Sequence, residues 1–328
     1  MTIMLQRQHA QCGATRWHLP TVQTAGRRPV RCRASSAKEV AQPEWRRPAL
    51  LQPPYHVVIT GSTKGIGRAL AAEFLRAGDT VMITSRSEEA VKATVTELGN
   101  AYGKERVHGL SANVSVGADV RALADYAKER MGRVDMWINN AGSNGYTYKP
   151  LLESDDAALA EIVGTNVLGV MLCCKEAIRI MSTQSAGHVF NMDGAGASGS
   201  ATPRFAAYGA TKRSLAQLGA SLQAELGQAN VPVCVHNLSP GMVTTELLMS
   251  GADTPTAKFF INTLAEEAET VAQWLVPRVR QVPQAPTSLL SGRLNPTYIQ
   301  YLTTPKAFTQ IAQRLIFGTR KARFVPEP

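Results

Sequence analysis

The chain has 328 residues, 44% of them hydrophobic and 18% charged, a balance that suits one large α/β domain with extensions and excludes a fibrous or wholly disordered protein. The formal net charge is +10, but seven of the 35 Lys and Arg and none of the 25 Asp and Glu lie in residues 1–38, so the remaining body carries only about +3. That removes the electrostatic footing for a nucleic-acid partner.

The Arg-rich, acid-free stretch 1–38 has the composition of an organelle transit peptide and lacks the apolar run of a secretory signal; a disordered basic tail is the alternative reading. Within it, "VRCRASSA" (30–37) resembles a chloroplast processing site, with cleavage expected near Cys32 or Ala34. Residues 39–54 read as a linker, because four prolines disfavour regular structure there. Of the five cysteines, only Cys173, Cys174 and Cys234 fall in the body, which suggests neither a disulfide framework nor a zinc site, so no metal is expected. No uninterrupted run of eighteen apolar residues occurs, and no membrane-spanning helix is expected.

The body begins with "YHVVIT" (55–60) and "TVMIT" (80–84), two β-branched runs flanking the amphipathic "GIGRALAAEFLRAG", a βαβ unit. Alternation continues with a helix near 88–98, a strand near 106–113, a helix near 118–130 and a strand over 134–139. A long helix near 156–182, a strand over 187–192, a helix near 206–227 and a strand over 231–238 follow. Such alternation predicts a parallel sheet covered on both faces, the doubly wound Rossmann arrangement, here over residues 55–275 as a single domain. Residues 276–328 are expected to form a C-terminal helical extension with no recognisable last strand. Its Arg314, Arg320, Lys321 and Arg323 suit an anionic membrane surface or a partner subunit, or simply a solvated helix end.

"TGSTKGIG" (Gly61, Ser62, Thr63, Lys64, Gly65, Ile66, Gly67 after Thr60) follows the first strand and opens the first helix, the context in which glycines bring backbone amides and a helix dipole to a pyrophosphate. After the second strand, Ser85 and Arg86 stand where an acid would bond a free ribose hydroxyl. Arg86, with Lys64, matches a 2′-phosphate, and NADPH is the expected cofactor. Tyr208 and Lys212 are four apart on a predicted helix and share a face. A nearby ammonium lowers a phenol's pKa, so Tyr208 is the candidate proton donor to a carbonyl.

"TGSTKGIG", "NNAG" (139–142), "YGATK" (208–212) and "SPG" (239–241) stand in the order and spacing of the short-chain dehydrogenase/reductase family, which the chain resembles over roughly residues 54–275. The resemblance implies an oxidoreductase in which Tyr208, Lys212 and Asn166 are catalytic, Lys212 also holding the ribose and Asn166 a proton-relay water. It further implies that Asn139 braces the sheet and that Asn113, Val114, Asn140, Ala141, Gly142, Tyr208, Pro240, Gly241, Val243 and Thr245 contact the cofactor.

One position departs from the family. The serine expected three residues after Asn191 is Gly194, and loss of one preorganised donor costs about two to three powers of ten in rate. Asp193, Ser198 or Ser200 can replace it, although an ionised Asp193 would repel a developing alkoxide. Alternatively Gly194 is small because the substrate is large, or the chain is a non-catalytic NADPH-binding subunit, against which the retained Tyr208, Lys212 and Asn166 speak.

"HVFNMDGAGASGSATPRFAAYGATK" and the C-terminal "IQYLTTPKAFTQIAQRLIFGTRKARFV" resemble the chlorophyll b reductase branch of the family, in its shorter form. That implies NADPH-dependent reduction of the C7-formyl group of chlorophyll b or chlorophyllide b, on the stromal side of the thylakoid. A homo- or hetero-oligomer with a related reductase subunit and peripheral membrane contact are implied with it. A plastid carbonyl or 3-oxoacyl reductase is the alternative enzyme. Met242, Leu247, Leu248, Met249, Phe259 and Phe260 are the expected apolar lining for a planar macrocycle, about half of them competing for places in the core.

Overall fold

The computed structural model describes residues 50–145, 148–250, 253–288 and 292–327. The expected transit peptide, with Cys12 and Cys32, and the linker up to residue 49 lie outside the described residues. Seven strands, β1 (His56–Thr60), β2 (Thr80–Thr84), β3 (Val107–Gly109), β4 (Met136–Asn139), β5 (Gly187–Met192), β6 (Val233–Ser239) and β7 (Tyr298–Gln300), form one sheet in the order β3-β2-β1-β4-β5-β6-β7. Every pairing is parallel. Being covered on both faces, the strands read as near-continuous apolar runs: Val57, Val58 and Ile59 of β1 are all fully buried.

On one face lie α1 (Gly65–Arg76) and α9 (Ala268–Gln281), whose Leu70, Phe74, Val271, Leu275 and Val279 pack with Val57 and Ile59. On the other lie α3 (Gly117–Met131), α5 (Val170–Met181) and α6 (Ala206–Gln228), around a fully buried Trp137. Each fully buried Leu, Ile or Phe contributes about 1.5–3 kcal/mol relative to an exposed one. The Trp137 indole donates to Asn139 Oδ1 at 2.9 Å, and Asn139 Nδ2 donates to Asn191 Oδ1 at 2.8 Å, so an amide ladder crosses the β4–β5 register inside the core. The remaining helices are α2 (Glu88–Tyr102), α4 (Asp156–Val163), α7 (Glu246–Met249), α8 (Pro255–Leu264) and α10 (Thr304–Phe317).

Three expectations change. The sheet does not stop before residue 276: the three-residue β7 extends it along β6, too short a strand to leave a periodicity of its own, and the expected boundary at 275 falls inside α9. The run Asp156–Met181 is long and apolar enough to cross a membrane by length and composition, although its polar interruptions hid this from a search for unbroken apolar runs. Its Val170, Cys173, Cys174, Ala177, Ile180 and Met181 are nevertheless buried in the core. Of the four cations expected to form a face of the C-terminal segment, three are spent internally, while Lys321 is exposed. Arg314 pairs with Glu327, and Arg320 and Arg323 both pair with Glu266.

Candidate active site

In a parallel sheet of this order, ligands lie beyond the carboxyl ends of the strands, where the order reverses between β1 and β4. A cleft of about 1040 Å³ opens there. Its lining takes in the loops after β1, β2, β3, β4, β5 and β6, and with them nearly every site residue expected from the sequence. Ser62 and Asn166 are the exceptions: both are fully buried beneath it.

The glycine loop is a preformed cradle. Gly61 and Gly65 hold φ of +63° and +55°, conformations that side-chain-bearing residues rarely adopt. A Cβ on Gly67 would be driven into the Gly61 carbonyl and the Asn140 amide. Ser62 Oγ donates to Ile59 O at 2.7 Å and accepts from Thr84 N at 2.9 Å, tying the loop to β2. Thr60 Oγ1 accepts from the backbone of Asn140 and Ala141, each at 3.0 Å, and Asn140 Nδ2 donates to Thr60 O at 2.9 Å. The loops after β1 and β4 are thereby one rigid unit. At the β2 end Arg86 is 62% exposed and 3.4 Å from Glu161, while Lys64 pairs with Glu246 on α7. Exposed pairs of this kind are worth at most about 1 kcal/mol, so the pairing with Glu161 does little to hold Arg86 back from an incoming phosphate. Backbone amides, close-packed glycines and exposed cations together fit a nicotinamide dinucleotide.

Farther along the cleft α6 carries Tyr208 and Lys212. Asn166 braces that helix: α4 runs into a π-helical turn, Gly164–Gly169, and α5 continues it. Such turns recur at functional sites. Asn166 Oδ1 accepts from Ser143 N at 2.8 Å, and its Nδ2 donates to Ser143 O at 2.7 Å and to Thr211 Oγ1 at 3.1 Å. Both side-chain donors are therefore committed to protein, and the amide clamps α6 to the loop after β4.

Lys212 Nζ donates to Met192 O at 2.9 Å and sits 5.6 Å from the centre of the Tyr208 ring. The expectation that Tyr208 is acidified overall does not hold here, whatever the ammonium contributes. Burial, reinforced by the carboxylate of Asp193, pushes the phenol well above its ordinary value, while burial takes Lys212 down to about 8 against the opposing pull of Asp193. Tyr208 is therefore held protonated, the state a proton donor needs.

Gly194 has a local cause. A Cβ there would stand inside contact distance of the Tyr208 hydroxyl and 3.2 Å from Cζ. The missing side chain makes room for the tyrosine before any substrate is considered. Nor does a neighbouring serine replace it: Ser198 and Ser200 are exposed, bond each other at 3.0 Å and stay outside the cleft lining. Asp193 Oδ2 accepts from Tyr298 on β7, so that oxygen acts as an acceptor.

A family model described as short chain dehydrogenase matches residues 55–255. The chain belongs to the short-chain dehydrogenase family. It is 56% identical over 283 residues to a chlorophyll(ide) b reductase NOL, chloroplastic, of Oryza sativa subsp. japonica, spanning 86% of this chain and 81% of the relative. To the protein of that name from Arabidopsis thaliana it is 54% identical over 316 residues, 96% of this chain and 88% of the relative. Among solved structures, a 3-ketoacyl-(acyl-carrier-protein) reductase from Brucella melitensis superposes with a TM-score of 0.63 at 23% identity, covering 77% of this chain and 98% of that one. At that identity the likeness speaks for the fold.

Beyond the tyrosine, the cleft of this dehydrogenase widens into an apolar lobe. Met242, Leu247, Leu248 and Phe260 line it as expected, but Met249 and Phe259 do not: Met249 packs, as Met242 and Leu248 also do, against the cluster of Ile261, Ala265 and Val325, and Phe259 lies 4.4 Å beneath the Arg314 guanidinium. Two lining aromatics escaped the sequence reading. Tyr148 and Phe205 pack as a tilted pair with ring centroids 4.6 Å apart, and Phe205 meets Tyr208 edge-on at 5.9 Å. Phe205 precedes Tyr208 by three residues, a spacing that was available as a signal. Tyr148 carried none, because its place depends on Arg204, which covers its ring at 4.1 Å and bonds Asp253 at 3.0 Å.

Proposed function

We propose that the chain reduces the C7-formyl group of chlorophyll b or chlorophyllide b to a hydroxymethyl group with NADPH, within the chloroplast. The observation that carries this reading is one continuous cleft, with a dinucleotide cradle at one end, Tyr208 beside Gly194 in the middle and an apolar, aromatic lobe beyond it. The names of the relatives support the pigment as substrate. Gly61, Ser62, Thr63, Lys64, Gly65, Ile66, Gly67, Ser85, Arg86, Asn113, Val114, Asn140, Ala141, Gly142, Pro240, Gly241, Val243 and Thr245 would hold the cofactor, which when bound supplies the hydride. Tyr208 hands its phenolic proton to the formyl oxygen as the C=O double bond is lost, and becomes a phenolate. Lys212 stabilises that phenolate by charge, and Asn166 keeps both on the rigid face of α6. Loss of the formyl absorption bands on mixing the purified chain with NADPH and chlorophyllide b is the expected result. Unchanged bands, with turnover of a 3-oxoacyl substrate instead, would overturn the pigment assignment.

The choice of NADPH rests on Arg86. Arg86→Leu is expected to weaken NADPH binding about 10- to 100-fold, the worth of a charge-assisted hydrogen bond, and to leave NADH binding unchanged. Fluorescence titration with each cofactor checks this, and an equal loss for both would refute the assignment.

The apolar end of α10 supports contact with the thylakoid surface from the stroma. Leu315, Ile316 and Phe317 are each at least 70% exposed, and Phe308 lies two turns earlier. The chain is expected to float with lipid vesicles, and Leu315→Ser with Phe317→Ser to release it. Flotation unaffected by the double change would exclude this surface.

A further inference from the structure

The tripeptide 192–194 leaves the end of β5 and meets the reaction end of the cleft three times. Met192 O accepts from Lys212, Gly194 yields its side-chain space to the Tyr208 hydroxyl, and between them Asp193 lines the same cleft at 7% exposure. Its backbone is fixed, Asp193 N donating to Leu238 O at 2.8 Å. Its Oδ2 accepts from the Tyr298 hydroxyl, whereas Oδ1 is buried with no hydrogen-bond partner among the described residues. Tyr298 is half-exposed on the edge strand β7, in register with Asn237 of β6.

A buried carboxylate and a buried ammonium each cost several kcal/mol if left uncompensated, and each usually discharges instead. Here the two occupy one end of one cleft. Lys212 and Tyr208 of α6 contact the residues on either side of Asp193, Tyr298 of β7 bonds its carboxylate, Ser239 of β6 lines the same cleft, and among the described residues Asp193 is the acid whose charge acts on Lys212.

We propose that Asp193, tethered by Tyr298, is a positioning residue whose carboxylate keeps Lys212 an ammonium ion beside Tyr208. This rests on the reading of Tyr208 and Lys212 as the reacting pair. The signs agree. Burial lowers Lys212 and raises Asp193, and each acts on the other in the opposite sense; the Tyr298 and Ser239 hydroxyls also favour the charged carboxylate. Without the carboxylate, Lys212 loses its proton at lower pH, and the phenolate left by proton transfer has no cation next to it. The same carboxylate discourages loss of the Tyr208 proton before substrate arrives. The C-terminal segment thus enters the chemistry through one hydroxyl, a link that no local pattern around Tyr298 displays.

The test uses the full chain with 13C at lysine Cε, free of ligand, the Lys212 resonance being assigned with Lys212→Met. Asp193→Asn is expected to lower the Lys212 titration midpoint by about one unit, the low end for loss of a facing opposite charge. The alkaline limb of kcat should move by the same amount. Tyr298→Phe keeps the carboxylate but removes the bond that favours its charged form, so the acid limb of kcat is expected to move to higher pH. An unmoved Lys212 midpoint in Asp193→Asn overturns the proposal. If that variant fails to fold, an unmoved acid limb in Tyr298→Phe does so. The lysine titration needs no substrate, so a shifted midpoint in a chain that leaves the pigment untouched would sink the proposed function and spare the counter-charge.

Discussion

Serine at position 194 is expected to lower turnover by about 100-fold or more, even though it restores the residue type the family ordinarily carries there. The added Cβ falls inside contact distance of the Tyr208 hydroxyl and 3.2 Å from its Cζ, so the ring must move. That ring is hemmed in by Phe205, 5.9 Å away, and by Lys212, which is tied to Met192 O. Displacing a reacting group by about 1 Å costs on the order of 10²-fold. A well-placed donor can return a similar factor, but only if it and Tyr208 reach the same oxygen, which the clash prevents. Gly194→Ala separates the two effects, since it has the clash without the hydroxyl. Both variants should bind NADPH within a few-fold of the parent by fluorescence titration and differ little in kcat. A serine variant as fast as the parent would show that the tyrosine moves aside without loss. The glycine thus answers first to the tyrosine, whereas sequence alone offers the size of the substrate as one of several explanations.

Tyr208→Phe removes the proton donor and nothing that holds the cradle, so kcat is expected to fall by about 10²- to 10⁴-fold with NADPH affinity retained. Stopped-flow reduction of chlorophyllide b measures it. Residual turnover within tenfold of the parent would mean that another group donates the proton. The parent's pH profile follows from the same site. Reduction needs Tyr208 protonated, and burial with Asp193 raises its pKa, so the phenol does not limit the rate at neutral pH. It also needs Lys212 charged, and Lys212 loses its proton as pH rises through about 8. Turnover is therefore expected to hold below about pH 8 and to decline above it, with the limb set by the lysine.

The order of strands and helices, the glycine cradle and the Tyr208–Lys212 pair were legible in the sequence because each is local. A βαβ alternation, a glycine loop opening a helix, and two side chains four apart on one helix follow from near-neighbour geometry. What tertiary packing alone decided involves residues far apart in the chain. Gly194 meets Tyr208 across the gap between a strand end and a helix, Asn166 locks onto Ser143 and Thr211, and Tyr298 reaches Asp193 from more than a hundred residues away. The direction of the Tyr208 shift belongs to this second group. Spacing predicts that an ammonium lies nearby, but burial is a property of the whole fold, and here it outweighs that one charge.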